Sequence, residues 1–159
     1  MNTPFTSAEA QHAVELLASR PLVRLVTEID DNGAIPPRRL AGTLPDLATH
    51  HLRSASDTAR AHGLVRITPG TGLDLTEAGA ELADLYDEMA RWARRHAVPA
   101  SVCDFSGRIR CVLELLAPSI TTECADGAEA GLDRLRTLLI QWLVGNPQVS
   151  TVSEPEPVA

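Results

Sequence analysis

The sequence predicts a mainly helical fold with one small β-hairpin, and three observations carry that expectation. Apolar residues recur at spacings of three and four through most of the chain, the period of a helix with one buried face. A single pair of short apolar-rich runs, Leu64-Val65-Arg66-Ile67-Thr68 and Leu73-Asp74-Leu75, flanks Pro69-Gly70-Thr71-Gly72, whose turn chemistry reads as a hairpin. Aromatic residues make up only 3% of the chain, so the core has to be built from Leu, Val, Ile and Ala.

Taken in order, Thr6-x-x-Glu9 has capping-box spacing and opens a helix that runs to about Ala18. Pro21 suits the first turn of a second helix, with Leu22, Leu25, Val26 and Ile29 on one face and Asp30-Asp31-Asn32-Gly33 as its end. Pro36-Pro37 precedes a short helix around Arg38–Leu44, stopped at Pro45. Asp46 is placed to cap the next helix, Leu47 to His62, and Gly63 closes it where a left-handed residue is needed. After the hairpin, Thr76 caps a long helix, Glu77 to Ala97. Its residues Leu82, Leu85, Met89, Trp92 and His96 form a seam of the kind that packs on a partner helix. Two more helices are expected near Ser106–Leu116, with a break at Pro118, and near Ala128–Val144, striped by Leu132, Leu135, Leu139 and Trp142. The expected organisation is a domain over residues 7–97, a helical extension over 98–145, and a disordered tail over 146–159, rich in Ser, Glu and Pro.

Composition narrows the function classes. No apolar run approaches the length of a membrane span, and Met1 to Ser7 has neither the basic nor the apolar part of a signal peptide, so a soluble, cytoplasmic protein without a membrane partner is expected. The three cysteines, Cys103, Cys111 and Cys124, are too few for a disulfide scaffold, and buried packing is the default for Cys111 beside Val112 and Leu113. His50-His51 point apart on a helix and have no second pair at ligand spacing, so neither a metal nor any cofactor is expected. There is no P-loop, G-x-S-x-G or H-E-x-x-H, and an enzyme is not expected.

The net charge of −7 argues against casual nucleic-acid binding, but the distribution matters more than the sum. Between Pro36 and Ile67 five arginines (Arg38, Arg39, Arg53, Arg60, Arg66) face two acids (Asp46, Asp57), a local balance of +3. The order helix, helix, short helix, turn, helix, hairpin, long helix is that of a winged helix-turn-helix domain, here followed by C-terminal helices. In that arrangement the second helix of the motif, Leu47 to His62, enters the major groove of double-stranded DNA. Leu52, Ser56 and Ala59 would face inward, and Thr49, His50, Arg53 and Ser54 would be placed to read base edges. Arg38, Arg39, Arg60 and Arg66 would hold phosphates.

Residues 12–96 also resemble the HxlR-type family of winged-helix transcription regulators. The resemblance rests on His12-Ala-Val-Glu-Leu-Leu-Ala-Ser-Arg-Pro21, Leu40-Ala-Gly-Thr-Leu-Pro45, Leu52, His62-Gly-Leu-Val65, Leu75-Thr-Glu-Ala-Gly79 and Trp92-Ala-Arg-Arg-His96. It implies a homodimer, joined by the first and last helices of the domain, that regulates nearby genes. Its two reading helices would lie roughly 34 Å apart on an inverted repeat. The chain departs from the family pattern at several places. Ala41 and Gly42 stand where a basic pair is common, Ser56 and Ala59 replace leucine, Asp57 falls where arginine is frequent, and the hairpin tip is uncharged. The two C-terminal stripes are expected to enlarge the dimer interface; covering the domain's own helices, or enclosing a small organic effector against it, are the alternatives. The rival function is a winged-helix protein-interaction module that has lost DNA binding.

Overall fold

The computed structural model describes residues 5–98, 104–121 and 130–152. Thr6 starts the first helix, α1 (Ser7–Leu17): its side-chain oxygen accepts from the Glu9 amide at 3.1 Å. Pro21 lies in the first turn of α2 (Arg20–Asn32), where a missing N–H costs nothing, and this helix buries Leu22, Val23, Leu25, Val26 and Ile29. A 3-10 turn (Pro37–Arg39) leads into the four-residue α3 (Leu40–Thr43), and then come α4 (Thr49–Ala61), β1 (Val65–Thr68) and β2 (Gly72–Leu75). The long α5 (Glu77–Arg95) follows, and α6 (Phe105–Ile120), α7 (Ala130–Gly145) and a 3-10 turn (Pro147–Val149) close the described chain. The fold is thus mainly α, with one two-stranded antiparallel sheet whose register sets Arg66 against Asp74 and Ile67 against Leu73.

Two short segments form the joint on which this arrangement turns. Thr76 caps α5 by accepting from the Gly79 amide at 3.2 Å, while its hydroxyl donates to the Gly63 carbonyl at 2.6 Å. Its own amide donates to the Leu64 carbonyl at 3.0 Å. Gly79 sits so close to that carbonyl that a Cβ would collide with the Leu64 oxygen. Gly63, at φ 71°, supplies the left-handed residue that lets the chain leave α4 and enter β1. Ile35 adds a one-residue third rung to the sheet, exchanging backbone hydrogen bonds with Leu73 at 2.9 and 2.8 Å. That rung requires Gly72, where a Cβ would strike the Ile35 backbone.

One continuous apolar core runs from Phe5 to Val149, so the C-terminal helices belong to the body of the protein. α5 packs against α2, β2, α6 and α7. Leu82, Leu85 and Met89, expected on the seam toward a partner chain, are buried within the single chain. The physical reason is that α6 and α7 supply the apolar surface a second copy was expected to bring. At the end of the seam Trp92 is half-buried and His96 exposed, their rings stacked at 4.3 Å. Polar links fasten the layers. The Tyr86 hydroxyl donates to the Leu17 carbonyl at 2.6 Å, Arg110 donates to the Ala18 carbonyl at 3.2 Å, and Trp142 Nε1 donates to the Ala78 carbonyl at 3.1 Å. The first two satisfy carbonyls at the end of α1 that its own helix leaves open.

Several sequence expectations need correction. α4 begins at Thr49 rather than Leu47, with Ala48 as an N-cap that offers no side-chain bond, because the carboxylate of Asp46 is held by two arginines instead. α6 runs past Pro118 to Ile120, since a proline in the last turn removes a single hydrogen bond while Leu116 and Ile120 are both buried. The tail does not begin at 146: Asn146, Val149 and Ser150 are buried, and Gln148 donates to the His62 carbonyl at 2.8 Å. Cys111 is half-buried on α6; Cys103 and Cys124 lie outside the described residues, as do residues 153–159 of the expected tail. Among the described residues no helix is long and apolar enough to cross a membrane.

Two substitutions test the joints. Gly79→Ala is expected to destabilise the protein by about 1–3 kcal/mol, since overpacking against a carbonyl outweighs the helix preference of alanine in a first turn. Tyr86→Phe, which leaves the Leu17 carbonyl without its donor, is expected to cost about 1–2 kcal/mol. Thermal melts should read each as a fall in Tm of about 2–4 °C per kcal/mol.

Candidate nucleic-acid interface

α4 is amphipathic in a way that sorts the predicted residues into rows. Leu52, Ala55 and Ala59 are buried, and helix α2 is the main surface they pack on. Ser56, on the same inward face, is half-buried. Thr49, His50, Arg53, Ser54, Asp57 and Arg60 are all exposed, as expected. At 3.6 residues per turn, His50, Ser54 and Asp57 form the outermost ridge, while Thr49, Arg53, Ser56 and Arg60 form a row beside it. The two rows face different neighbours. Thr49, Arg53 and Arg60 line a cleft shared with Arg38, the hairpin and α3. Ser54 lies with His51 over a groove against α1 and α2, away from that cleft. Contrary to the expectation that they point apart, the rings of His50 and His51 lie 4.1 Å from each other, tilted. Among the described residues no group of three or more His, Cys, Asp or Glu side chains could hold a metal ion.

The charges around α4 divide sharply. Asp46, in the turn between α3 and α4, receives hydrogen bonds from Arg24 at 3.0 Å and Arg20 at 3.1 Å. The bond from Arg24 is the main reason its carboxyl is held below the usual range. That acid is therefore neutralised by arginines outside the predicted contact set. Arg38, Arg39, Arg53, Arg60 and Arg66 are exposed, and none makes an ion pair among the described residues. Two acids still lie close to them. Asp57 stands on the outer ridge of α4, and Asp74 is the cross-strand neighbour of Arg66 and reduces its field. The pairing of Asp74 with Arg66 depends on hairpin register and the recruitment of Arg20 and Arg24 on tertiary contact, so neither was legible as a local motif.

A second charge cluster lies at the other end of α2. Asp30 and Asp31 close that helix, where its dipole disfavours negative charge, and they face Asp84 and Asp87 of α5. Partial burial, then repulsion from the other carboxylates, pushes both Asp30 and Asp87 above the usual carboxylate range. The groove between α5 and α7, where the alternative reading of the extension would enclose an effector, is an open trough lined by Glu81, Asp84 and Glu88 together with Arg134, which pairs with Glu88, and Trp142.

Because the folded state raises these pKa values, its ionisation is more costly than that of the unfolded chain. The associated stability is present below the ordinary aspartate pKa and is lost as pH rises through the raised folded values. Asp30→Asn and Asp87→Asn are therefore each expected to raise Tm at pH 7 by about 1–2 °C, with the gain vanishing below about pH 4. Melts of the variants across that range measure it.

Comparison of the chain with family models, with curated proteins and with solved structures returns no match.

Proposed function

We propose that this protein is a winged helix-turn-helix regulator that binds double-stranded DNA through α4. The observation that carries the reading is the row of five exposed arginines on the Pro37–Arg39 turn, α4 and β1, none paired with a carboxylate among the described residues, beside an acid already neutralised by Arg20 and Arg24. Uncompensated guanidiniums on a helix, its preceding turn and a hairpin match what a duplex backbone requires. The amides at the start of α4 have no side-chain cap, since Ala48 precedes Thr49, and such a helix end accepts a phosphate. Arg53, with Thr49 and His50, is assigned to base edges; Ser54 keeps a part only at the ridge it shares with His50. Arg38, Arg39, Arg60 and Arg66 are assigned to phosphates.

The reading concerns one chain on one stretch of groove. Because Leu82, Leu85 and Met89 are buried within the chain, a homodimer could use only the Trp92 and His96 end of the α5 seam or other surfaces, and a half-site spacing does not follow from that seam. The protein-interaction alternative is favoured by Asp57 on the outer ridge, by Asp74 opposite Arg66 and by the uncharged hairpin tip.

Binding to the DNA upstream of its own gene, measured against unrelated duplex over a range of salt, separates the two. Log affinity is expected to fall with log salt at a slope of about −3 to −4, the value for four phosphate contacts. Arg66→Ala is expected to weaken all sequences alike and reduce the slope by about 0.9. Arg53→Ala is expected to lose about 1–3 kcal/mol of preference for the best site. Absence of binding at low salt overturns the DNA reading and leaves the protein-interaction module.

A further inference from the structure

Ser56 is the odd residue of α4. It lies in the middle of a helix, where a serine hydroxyl ordinarily bonds the carbonyl four residues back or reaches water. Here its hydroxyl oxygen is buried and has no hydrogen-bond partner. It lines a cleft of about 250 Å³ between α4, α3 and the hairpin. The walls are apolar: Leu40, Leu52, Ile35 and Leu73 contribute, and the half-exposed Ile67 stands at the edge of the hairpin. Three guanidiniums, those of Arg38, Arg53 and Arg60, also line it, and no carboxylate pairs with any of them among the described residues.

Each part of that combination is costly if the cleft stays empty. An unpaired buried hydroxyl wants a partner, three like charges repel, and an exposed isoleucine beside a concave apolar wall is surface left uncovered. One class of ligand answers the charges and the uncovered apolar wall together: a small carboxylate with a flat or branched apolar body. Its carboxylate would sit between the arginines, with bidentate geometry available from a guanidinium, while its body would cover Ile67 and Leu73. A volume below that of drug-sized pockets limits it to roughly ten to fifteen heavy atoms.

We propose that this cleft is a binding site for a small aromatic or branched carboxylic acid. The site does not depend on DNA being the partner of α4. Where DNA does bind, acid and duplex use the same arginines, so the acid acts as a competing effector. The location differs from the trough between α5 and α7, where three carboxylates outnumber the one arginine, Arg134, and that arginine already pairs with Glu88.

Calorimetric titration of the full chain without DNA tests the proposal, with naphthalene-2-carboxylate as probe and naphthalene-2-carboxamide as its uncharged twin. The carboxylate is expected to bind, and the carboxamide to bind about tenfold more weakly. Ser56→Leu, which fills the cleft with an apolar side chain, is expected to abolish binding of both without lowering Tm. Arg60→Gln, at an exposed position that makes no ion pair among the described residues, is expected to weaken the carboxylate severalfold and leave the carboxamide unchanged, so the test stands even if Ser56→Leu fails to fold. Equal affinity for the two probes, unchanged binding in Arg60→Gln or in a folded Ser56→Leu, or no binding of the carboxylate at millimolar concentration each overturns it. Because no duplex is present, these outcomes leave the DNA reading untouched, and failure of the DNA titration leaves this site untouched.

Discussion

The contact between Gly63–Leu64 and Thr76–Gly79 is the constraint on which the remaining geometry depends. Two hydrogen bonds and one side chain's absence lock the exit of α4 to the entry of α5: the Thr76 hydroxyl and amide donate to the Gly63 and Leu64 carbonyls, and Gly79 lets the backbones touch. The hairpin is the loop between those two locked points, so its direction is set by them rather than by its own four-residue strands, which would be marginal alone. Once the hairpin is fixed, Leu73 is presented to Ile35, and that bridge draws the Pro37–Arg39 turn toward α4. The arginine cleft is a consequence of that chain of placements.

α5 carries this arrangement because it is buried on several sides. Tyr86, wholly buried, reaches α1 from its middle, and burial pushes its hydroxyl far above the usual range, so it remains a donor to the Leu17 carbonyl at any pH the fold survives. α6 and α7 cover the face that an isolated domain ending near residue 97 would leave open. The core is therefore continuous through helices that at first sight look like an appendix, and Gln148 links the last turn of the described chain back to the end of α4. Stability of the C-terminal helices and position of the candidate interface are coupled by that packing.

What was legible in the sequence was whatever depends on neighbours within about four residues. The caps at Thr6 and Thr76, the proline in the first turn of α2, the hairpin turn with Gly70 and the inward face of α4 follow from local chemistry and period. Elements whose meaning depends on distant partners were misread or missed. Asp46 has the spacing of a cap, but two guanidiniums from α2 outbid one backbone amide for its carboxylate. The apolar period of α5 announces a buried face without naming what buries it, and intramolecular helices took the place assigned to a second chain. Ile35 gave no strand signal because a single bridged residue has no period. Of the eight residues assigned to DNA, Arg38, Thr49, Arg53 and Arg60 share one cleft; Ser54 turns toward α1 and α2.

The small side chains on the inner face of α4 and the charges that decorate its exterior are physically connected. Leucine at 56 would close the cleft and leave Arg53 and Arg60 on an ordinary convex helix surface, suited to a backbone of phosphates and little else. Serine there opens a concavity beneath those same arginines, so their positive field converges on an apolar wall instead of spreading into solvent. A duplex meets the outer ends of the guanidiniums, whereas a small anion meets them from within. The two modes compete for one set of charges, and a protein with net charge −7 has few other cations near α4 to offer either of them. Arg20 and Arg24 are engaged by Asp46, which leaves the cleft arginines, with Arg39 and Arg66, as the cationic surface of this end of the molecule.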